Sequence, residues 1–188
     1  MSVSKQELRE EIRARLKTLT DVQRSALSSK ACALLEKQNV WKNAKSVFFY
    51  APLPEEIDIW PLVRDSLGAG KLVCLPRFDA ATNRYVACQI QNLAGDVISG
   101  RFGIREPISQ CPTIPLSKLD LALVPGVAFD LRCRRLGRGK GFYDRLLADA
   151  SGVRCGVAFD EQIVAEIPVE PHDVSVDCLL TPTRWLEF

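Results

Sequence analysis

Short apolar runs recur along this chain and limit its fold more than any other feature. Val47–Tyr50 (VFFY), Leu72–Leu75 (LVCL), Leu119–Val124 (LDLALV), Val153–Ala158 (VRCGVA) and Cys178–Leu180 are too short to be buried helices. Turn residues bound them, so each predicts a buried strand. Pro76 is expected to end the second, and Arg84–Gln89 reads as an antiparallel or edge strand. The segments between carry helix signals. Ser4 and Glu7 form an S-x-x-E capping box, with Val3 and Leu8 placed for a hydrophobic staple. Leu8, Ile12, Leu16 and Leu19 then repeat at helical spacing. Thr20 and Gln23 form a second box before a helix to about Gln38, with Leu27, Ala31, Leu34 and Leu35 inward. Further helices are expected over Trp60–Leu67 and Phe142–Ala148, and a short one near Glu161–Glu166. Leu93–Pro107 and the proline-bracketed Ile167–Val176 read as loops. Strands alternating with helices predict an α/β protein. Its sheet is mainly parallel with helices on both faces, a Rossmann-like three-layer sandwich forming one domain over residues 1–188.

Between the Leu119–Val124 strand, with its Pro125-Gly126 turn, and the helix at Phe142 lies Arg132–Arg145, RCRRLGRGKGFYDR. Gly137, Gly139 and Gly141 alternate with Arg138 and Lys140 there. Glycines let backbone N–H groups converge on one point, and alternating cations add charge at that point. The following helix contributes unpaired N–H groups and the positive end of its dipole. Strand, basic glycine loop, helix is a phosphate-holding order. It is not a Walker A loop: Arg134 stands where the first glycine belongs, and Gly141 follows Lys140 where Ser or Thr belongs. Nor is it the dinucleotide fingerprint, because the spacing is G-x-G-x-G. A solvated turn would use the same residue types. The absence of acids between Asp130 and Asp144, in a chain of 25 Lys and Arg against 23 Asp and Glu, favours an anion site.

Composition narrows the partners. The net charge of +2 supplies no global field towards nucleic acid or membrane, so recognition must rest on local clusters. The first residues hold no long apolar run and include Glu7, Glu10 and Glu11, so neither a signal or transit peptide nor a transmembrane span is expected. Seven dispersed cysteines without a C-x-x-C predict reduced thiols packed as small hydrophobes in a cytoplasmic protein. A single histidine, His172, argues against zinc and reads as a loop hydrogen-bonding residue.

Two further clusters stand out. Lys5, Arg9 and Arg13 form a basic stripe on the first helix. Cations early in a helix oppose its dipole, so the stripe suits a bound anion, or pairing with Glu10 and Glu11. Removing Arg9 would then relieve a conflict in the unliganded protein. Glu55 and Glu56 follow the Val47–Tyr50 strand, where open α/β sheets place ligand contacts, although acids ahead of a helix at Trp60 would look alike. Asp130 fits either a site-supporting carboxylate or a cap, and Trp41, Trp60 and Trp185 read as core.

PGVAFD (Pro125–Asp130), RLGRGKGFYDR (Arg135–Arg145), GVAFDEQIV (Gly156–Val164) and IPVEPHDVSVD (Ile167–Asp177) stand in order at close spacing. Together they resemble the 5-formyltetrahydrofolate cyclo-ligase family, also called methenyltetrahydrofolate synthetase. The K-x-x-L-R of Lys5–Arg9, the EEID of Glu55–Asp58 and the FGIREP of Phe102–Pro107 extend the resemblance across nearly the whole chain. The implied reaction uses ATP to convert 5-formyltetrahydrofolate to 5,10-methenyltetrahydrofolate with ADP and phosphate. Phosphorylation makes the N5-formyl oxygen a leaving group, as an iminium phosphate, and N10 displaces it. Such chemistry needs a phosphoryl clamp, a divalent cation and an aligned substrate.

The resemblance implies site residues. Arg135, Leu136, Gly137, Arg138, Gly139, Lys140, Gly141, Phe142 and Tyr143 would form the ATP loop, joined by Lys5, Gln6, Glu7, Leu8 and Arg9 over the phosphates. Arg138 and Lys140 would be catalytic. The folate would touch Arg9, Glu56 at its pterin end, and Arg138 to Phe142. Asp144 and Asp173 would hold Mg2+. The family usually has Tyr-Tyr where this chain has Phe142-Tyr143, and commonly Thr where it has Ile59, so a contact from the first hydroxyl is absent here. A monomer is expected, without nucleic-acid or membrane partners. An RNA-binding loop and a different ATP-using transferase are the competing expectations; near-neutral charge and the lack of an aromatic-interleaved basic stripe weigh against RNA.

Overall fold

The computed structural model describes residues 3–100 and 103–187. Phe102 of the FGIREP motif lies outside them. Both capping boxes close. Ser4 Oγ accepts from the Glu7 N–H at 3.2 Å while Glu7 Oε2 accepts from the Ser4 N–H at 2.7 Å, starting α1 (Lys5–Leu16). Thr20 and Gln23 repeat this before α2 (Asp21–Leu35). Val3 is exposed, so the staple contributes little. Then follow α3 (Asn39–Asn43), β1 (Ser46–Phe48), α4 (Trp60–Gly68), β2 (Leu72–Asp79), β3 (Arg84–Ile90) and the short α5 (Leu93–Asp96). The second half supplies β4 (Val97–Ser99), β5 (Arg105–Pro107), β6 (Leu121–Pro125), β7 (Ala128–Asp130), β8 (Arg135–Leu136) and α6 (Phe142–Leu147). The chain closes with β9 (Val153–Val157), β10 (Ile163–Val164), β11 (Cys178–Leu180) and β12 (Trp185–Glu187).

The main sheet runs β12-β11-β9-β6-β1-β2-β3. Its five central strands are parallel, and β3 and β12 are antiparallel edges. Strand alternation divides the core in two. Val47, Val73, Leu121, Leu123, Cys155 and Leu180 pack with Leu8, Ile12 and Leu16 of α1, Ala31 and Leu35 of α2, and Leu62 of α4. Phe48, Cys74, Ala122, Val124 and Leu179 pack with Leu146 and Leu147 of α6 on the other side. At roughly 25 cal/mol per Å2 of apolar surface, each fully buried leucine contributes about 2 kcal/mol.

Several expectations are corrected. Pro76 does not end β2, which continues to Asp79. The β1–β2 pairing stops at Phe48↔Cys74, and Cys74 turns its carbonyl towards β1, so the missing Pro76 N–H points where β1 has already ended. Pro125 is the last residue of β6 rather than part of a turn. The helix expected near Glu161–Glu166 is a single 3-10 turn, Asp160–Gln162, running into β10. Leu27 and Leu34 are only half-buried. The hairpins β4–β5 and β7–β8 and the edge strand β12 lie in segments too short for periodicity to show.

Candidate active site

Among the five parallel strands, chain order across the sheet reads 2-1-3-4-5, so the order reverses between β1 and β6. At such a reversal the loops leaving the two strands diverge to opposite faces and open a crevice at their carboxyl ends. The segment after β1 carries Leu53 and Glu56, and β6 ends at Pro125-Gly126; these residues line a cavity of about 210 Å3. Arg135, Gly137, Arg138, Lys140, Gly141, Phe142, Tyr143 and Asp144 supply another wall, and Pro76, Tyr85 and Ile104 complete it.

The loop is built on a hairpin and not directly on the long strand. Asp130, fully buried at the end of β7, accepts from the Arg132 and Arg134 N–H groups, from Arg134 Nε at 2.6 Å, and from the Ile167 N–H at 2.9 Å. Asp130 is therefore a structural anchor that turns β7 into β8. Arg135 then enters the interior. Its Nη2 reaches Asp144 Oδ1 at 2.6 Å, its Nη1 reaches the Pro125 carbonyl at 3.2 Å, and its Nε is buried without a partner among the described residues. Gly126 makes room for this: a Cβ there would meet the Phe129 ring at 2.7 Å and Arg135 Cγ at 3.2 Å. Gly139 at φ +92° and Gly141 at φ +62° supply the left-handed bends that return the chain to α6. The helix α6 is only six residues long, so its dipole adds little to the positive charge that Arg138 and Lys140 bring to the loop.

Of the residues predicted on the first helix, Arg9 is the one that reaches this loop. Arg9 Nε donates to the Gly137 carbonyl at 3.0 Å, and its guanidinium lies against Gly139. Lys5 Nζ pairs with Asp173 Oδ2 at 2.7 Å and Glu170 Oε2 at 3.4 Å. Arg13 is exposed, while Glu10 bonds Gln6 and Glu11 bonds Arg15, so the stripe is not paired with those acids as one expectation had it. Within Lys5–Arg9, the Glu7 side chain belongs to the cap, Leu8 to the core, and Gln6 to the surface pair with Glu10. Leu136 is buried in the core, and its carbonyl accepts the Val127 N–H at 2.7 Å, so it serves the hairpin and not the loop surface.

Across the cavity, Arg138 Nη2 bridges Glu55 Oε1 and Glu56 Oε1, each at 3.0 Å. Glu56 also accepts the Leu53 N–H. Burial raises the Glu56 carboxyl above its usual range, and Leu53 and Arg138 only partly offset it. Burial likewise pushes the Tyr143 hydroxyl well above its ordinary value, so it remains a neutral donor and acceptor. Phe142 joins Phe78 and Tyr85 in an edge-to-face trio with centroids 5.4–5.8 Å apart. The missing hydroxyl at Phe142 thus leaves an apolar aromatic wall.

Asp173 groups with Glu170 and His172, their donor atoms all within 4.8 Å of one another. Burial works to raise the Asp173 carboxyl, but the Lys5 ammonium and the Glu170 N–H outweigh it and hold it low. His172 is exposed, 3.2 Å from Glu170, in accord with a loop role. Trp41 is buried against Phe49, whereas Trp60 is half-buried beneath Arg105.

A model of the 5-formyltetrahydrofolate cyclo-ligase family matches residues 1–182. The chain belongs to this family. The 5-formyltetrahydrofolate cyclo-ligase of Escherichia coli (strain K12) is 32% identical over 184 residues, covering 94% of this chain and 100% of the relative. That of Mycolicibacterium smegmatis is 37% identical over 147 residues, covering 76% of each. The NMR structure of Aquifex aeolicus 5,10-methenyltetrahydrofolate synthetase superposes with a TM-score of 0.88 at 33% identity, over 97% of this chain and 92% of that one. The cyclo-ligase fold accordingly carries the cavity described above. Sequence reasoning missed Tyr85, Pro76 and Ile104 as wall residues. Each lies far along the chain from the loop; the strand order brings Pro76 and Tyr85 to it, and Ile104 comes from the segment just before β5.

Proposed function

We propose that this chain catalyses the ATP-dependent cyclisation of 5-formyltetrahydrofolate to 5,10-methenyltetrahydrofolate. The γ-phosphoryl group moves to the formyl oxygen, N10 bonds the formyl carbon and loses its proton, and the C–O bond breaks to release phosphate. The observation carrying this reading is the pairing, across one cavity, of a basic glycine loop with a half-buried glutamate and an aromatic wall.

Arg138 and Lys140 face the phosphoryl group in this reading, and Arg135 to Tyr143 surround the nucleotide phosphates. The Lys5–Arg9 segment covers them, with Lys5 and Arg9 supplying charge and Gln6, Glu7 and Leu8 supplying the helix that carries those cations. Glu56, kept in reach of a proton by its raised pKa, meets polar edges of the pterin. Phe142 and Tyr85 give the folate an apolar surface, and Arg9 with Arg138 to Gly141 borders it. Magnesium would find carboxylate oxygens at Asp144 and Asp173; the Lys5 ammonium between Glu170 and Asp173 marks that cluster as suited to a cation. Bound there, the metal would neutralise phosphate charge. The arrangement of clusters on the two sheet faces supports the three-layer, Rossmann-like, single-domain description over residues 1–188. Seven buried, unpaired thiols support a reducing, cytoplasmic setting, and no helix among the described residues is long and apolar enough to cross a membrane. The expected monomeric state is checked by sedimentation.

The test is the methenyl absorbance band on mixing protein, ATP, Mg2+ and 5-formyltetrahydrofolate. Its growth supports the reading. Its absence with folded protein contradicts it.

A further inference from the structure

Two loops meet in the nucleotide region proposed above, and each holds one cation of the first helix. The glycine loop accepts Arg9 Nε at the Gly137 carbonyl, and the segment 167–176 holds Lys5 through Asp173 and Glu170. The two loops are distant in the chain but rise from neighbouring strands. The glycine loop follows the β7–β8 hairpin, and the segment 167–176 follows β10, which pairs with β7 in the register Val164↔Asp130. Three bonds stitch the second loop to the first. The Val176 N–H donates to the Cys133 carbonyl at 3.0 Å, the Val174 N–H to Asp144 Oδ1 at 3.4 Å, and the Ile167 N–H to Asp130 Oδ2 at 2.9 Å.

The last of these bonds is buried, and so is the whole Asp130 side chain. Asp130 divides its two oxygens between the loops. Oδ1 accepts the Arg132 and Arg134 N–H groups of the hairpin at 2.9 and 3.1 Å. Oδ2 accepts the Ile167 N–H together with Arg134 Nε. A cap serving the hairpin alone would need only Oδ1. The hairpin also has backbone bonds of its own, from the Asp130 N–H to the Arg134 carbonyl at 3.2 Å and from the Cys133 N–H to the Asp130 carbonyl at 3.1 Å.

We infer that Asp130 is a positioning residue for the proposed reaction. It locks the segment carrying Asp173 to the base of the glycine loop, and so fixes Lys5 relative to Arg138 and Lys140 around the transferring phosphoryl group. This rests on the phosphoryl-transfer reading of the first cavity. Such a transfer depends on alignment and charge more than on acid–base chemistry, and a misplacement of about 1 Å can cost about 100-fold in rate.

The experiment uses Asp130→Asn in the full chain. An amide has one acceptor oxygen, so its NH2 group must face either the hairpin or Ile167. The hairpin N–H groups hold the remaining oxygen, and Arg134 has a second acceptor in Glu166 at 3.3 Å, so the NH2 group faces Ile167 and frees the second loop. The inference expects kcat per folded molecule, with the folded fraction measured by circular dichroism, to fall at least about tenfold. KM for 5-formyltetrahydrofolate stays within about twofold, because Glu56 and Tyr85 stand on other elements. Glu166→Ala, which removes only an exposed partner of Arg134, changes neither. Hydrogen exchange gives a readout independent of activity. In the wild type the Ile167 amide exchanges as one unit with the hairpin amides of Arg132 and Arg134, and in Asp130→Asn it exchanges at least about tenfold faster than they do. Independent exchange of Ile167 in the wild type overturns the inference even if the variant does not fold. So does a wild-type kcat per folded molecule in Asp130→Asn, which would make the residue merely structural. A wild type that forms no methenyl product overturns the functional reading and the inference with it.

Discussion

Arg9 Nε donates to the carbonyl of Gly137 at 3.0 Å, fastening the first helix to a loop 128 residues further along the chain. The contact lies inside the nucleotide region proposed above, so it joins fold and site in a single bond. It also reverses the expectation that removing Arg9 would relieve the unliganded protein.

Arg9→Ala should therefore weaken ATP binding markedly and lower unliganded stability by about 1.5 kcal/mol, the lower end for a hydrogen bond made by a charged group. Exposed Arg13→Ala should do neither. ATP titration beside melting temperatures separates the two. Equal losses of ATP affinity at both positions would indicate a diffuse field in place of a defined contact.

Asp144→Asn should be costly before any metal is considered. It leaves Arg135, whose side chain is 3% exposed, without its carboxylate, and breaking such a pair costs about 3 kcal/mol. Melting without Mg2+ measures that loss, and turnover against Mg2+ concentration measures the proposed metal role. A loss under about 1 kcal/mol would reduce Asp144 to a helix-dipole partner. Unchanged Mg2+ dependence would remove it from the metal site.

Glu56 gives a pH signature. Its folded carboxyl titrates above its unfolded value because of burial, so the folded state holds the proton longer. Stability contributed by the neutral form is full at low pH and is lost as pH rises from the ordinary carboxylate value of about 4.3 through the raised one. Glu56→Gln should flatten this dependence, leaving the variant relatively more stable at pH 7 than at pH 4, while its folate KM rises. Parallel melting curves against pH would contradict the assignment.

Lys140→Ala should lower turnover by two orders of magnitude or more, as loss of a preorganised cation at developing phosphoryl charge does, with little change in melting temperature because the side chain is exposed. Near-normal turnover would remove Lys140 from the phosphoryl clamp.

Much of this was legible in the sequence. Both capping boxes, the parallel strands and the antiparallel edge at β3 follow from local spacing, and local spacing is what side-chain periodicity reports. The glycine loop was visible because glycines and cations alternate in it without an intervening acid. What stayed hidden depends on distant chain segments. Pro76 could remain inside β2 only because β1 stops short, which no feature of β2 announces. Asp130 became an anchor through Ile167, and Asp144 acquired Arg135 through a hairpin too short to predict. Tyr85 reached the cavity wall only through the strand order.

The most direct test of the central claim is stoichiometry during a single assay. ADP, phosphate and 5,10-methenyltetrahydrofolate should appear in equal amounts with ATP, Mg2+ and 5-formyltetrahydrofolate, and none should appear when the folate is withheld. Methenyl product formed without ATP, or ADP released at the same rate without folate, would contradict a phosphoryl transfer to the formyl oxygen at the glycine loop.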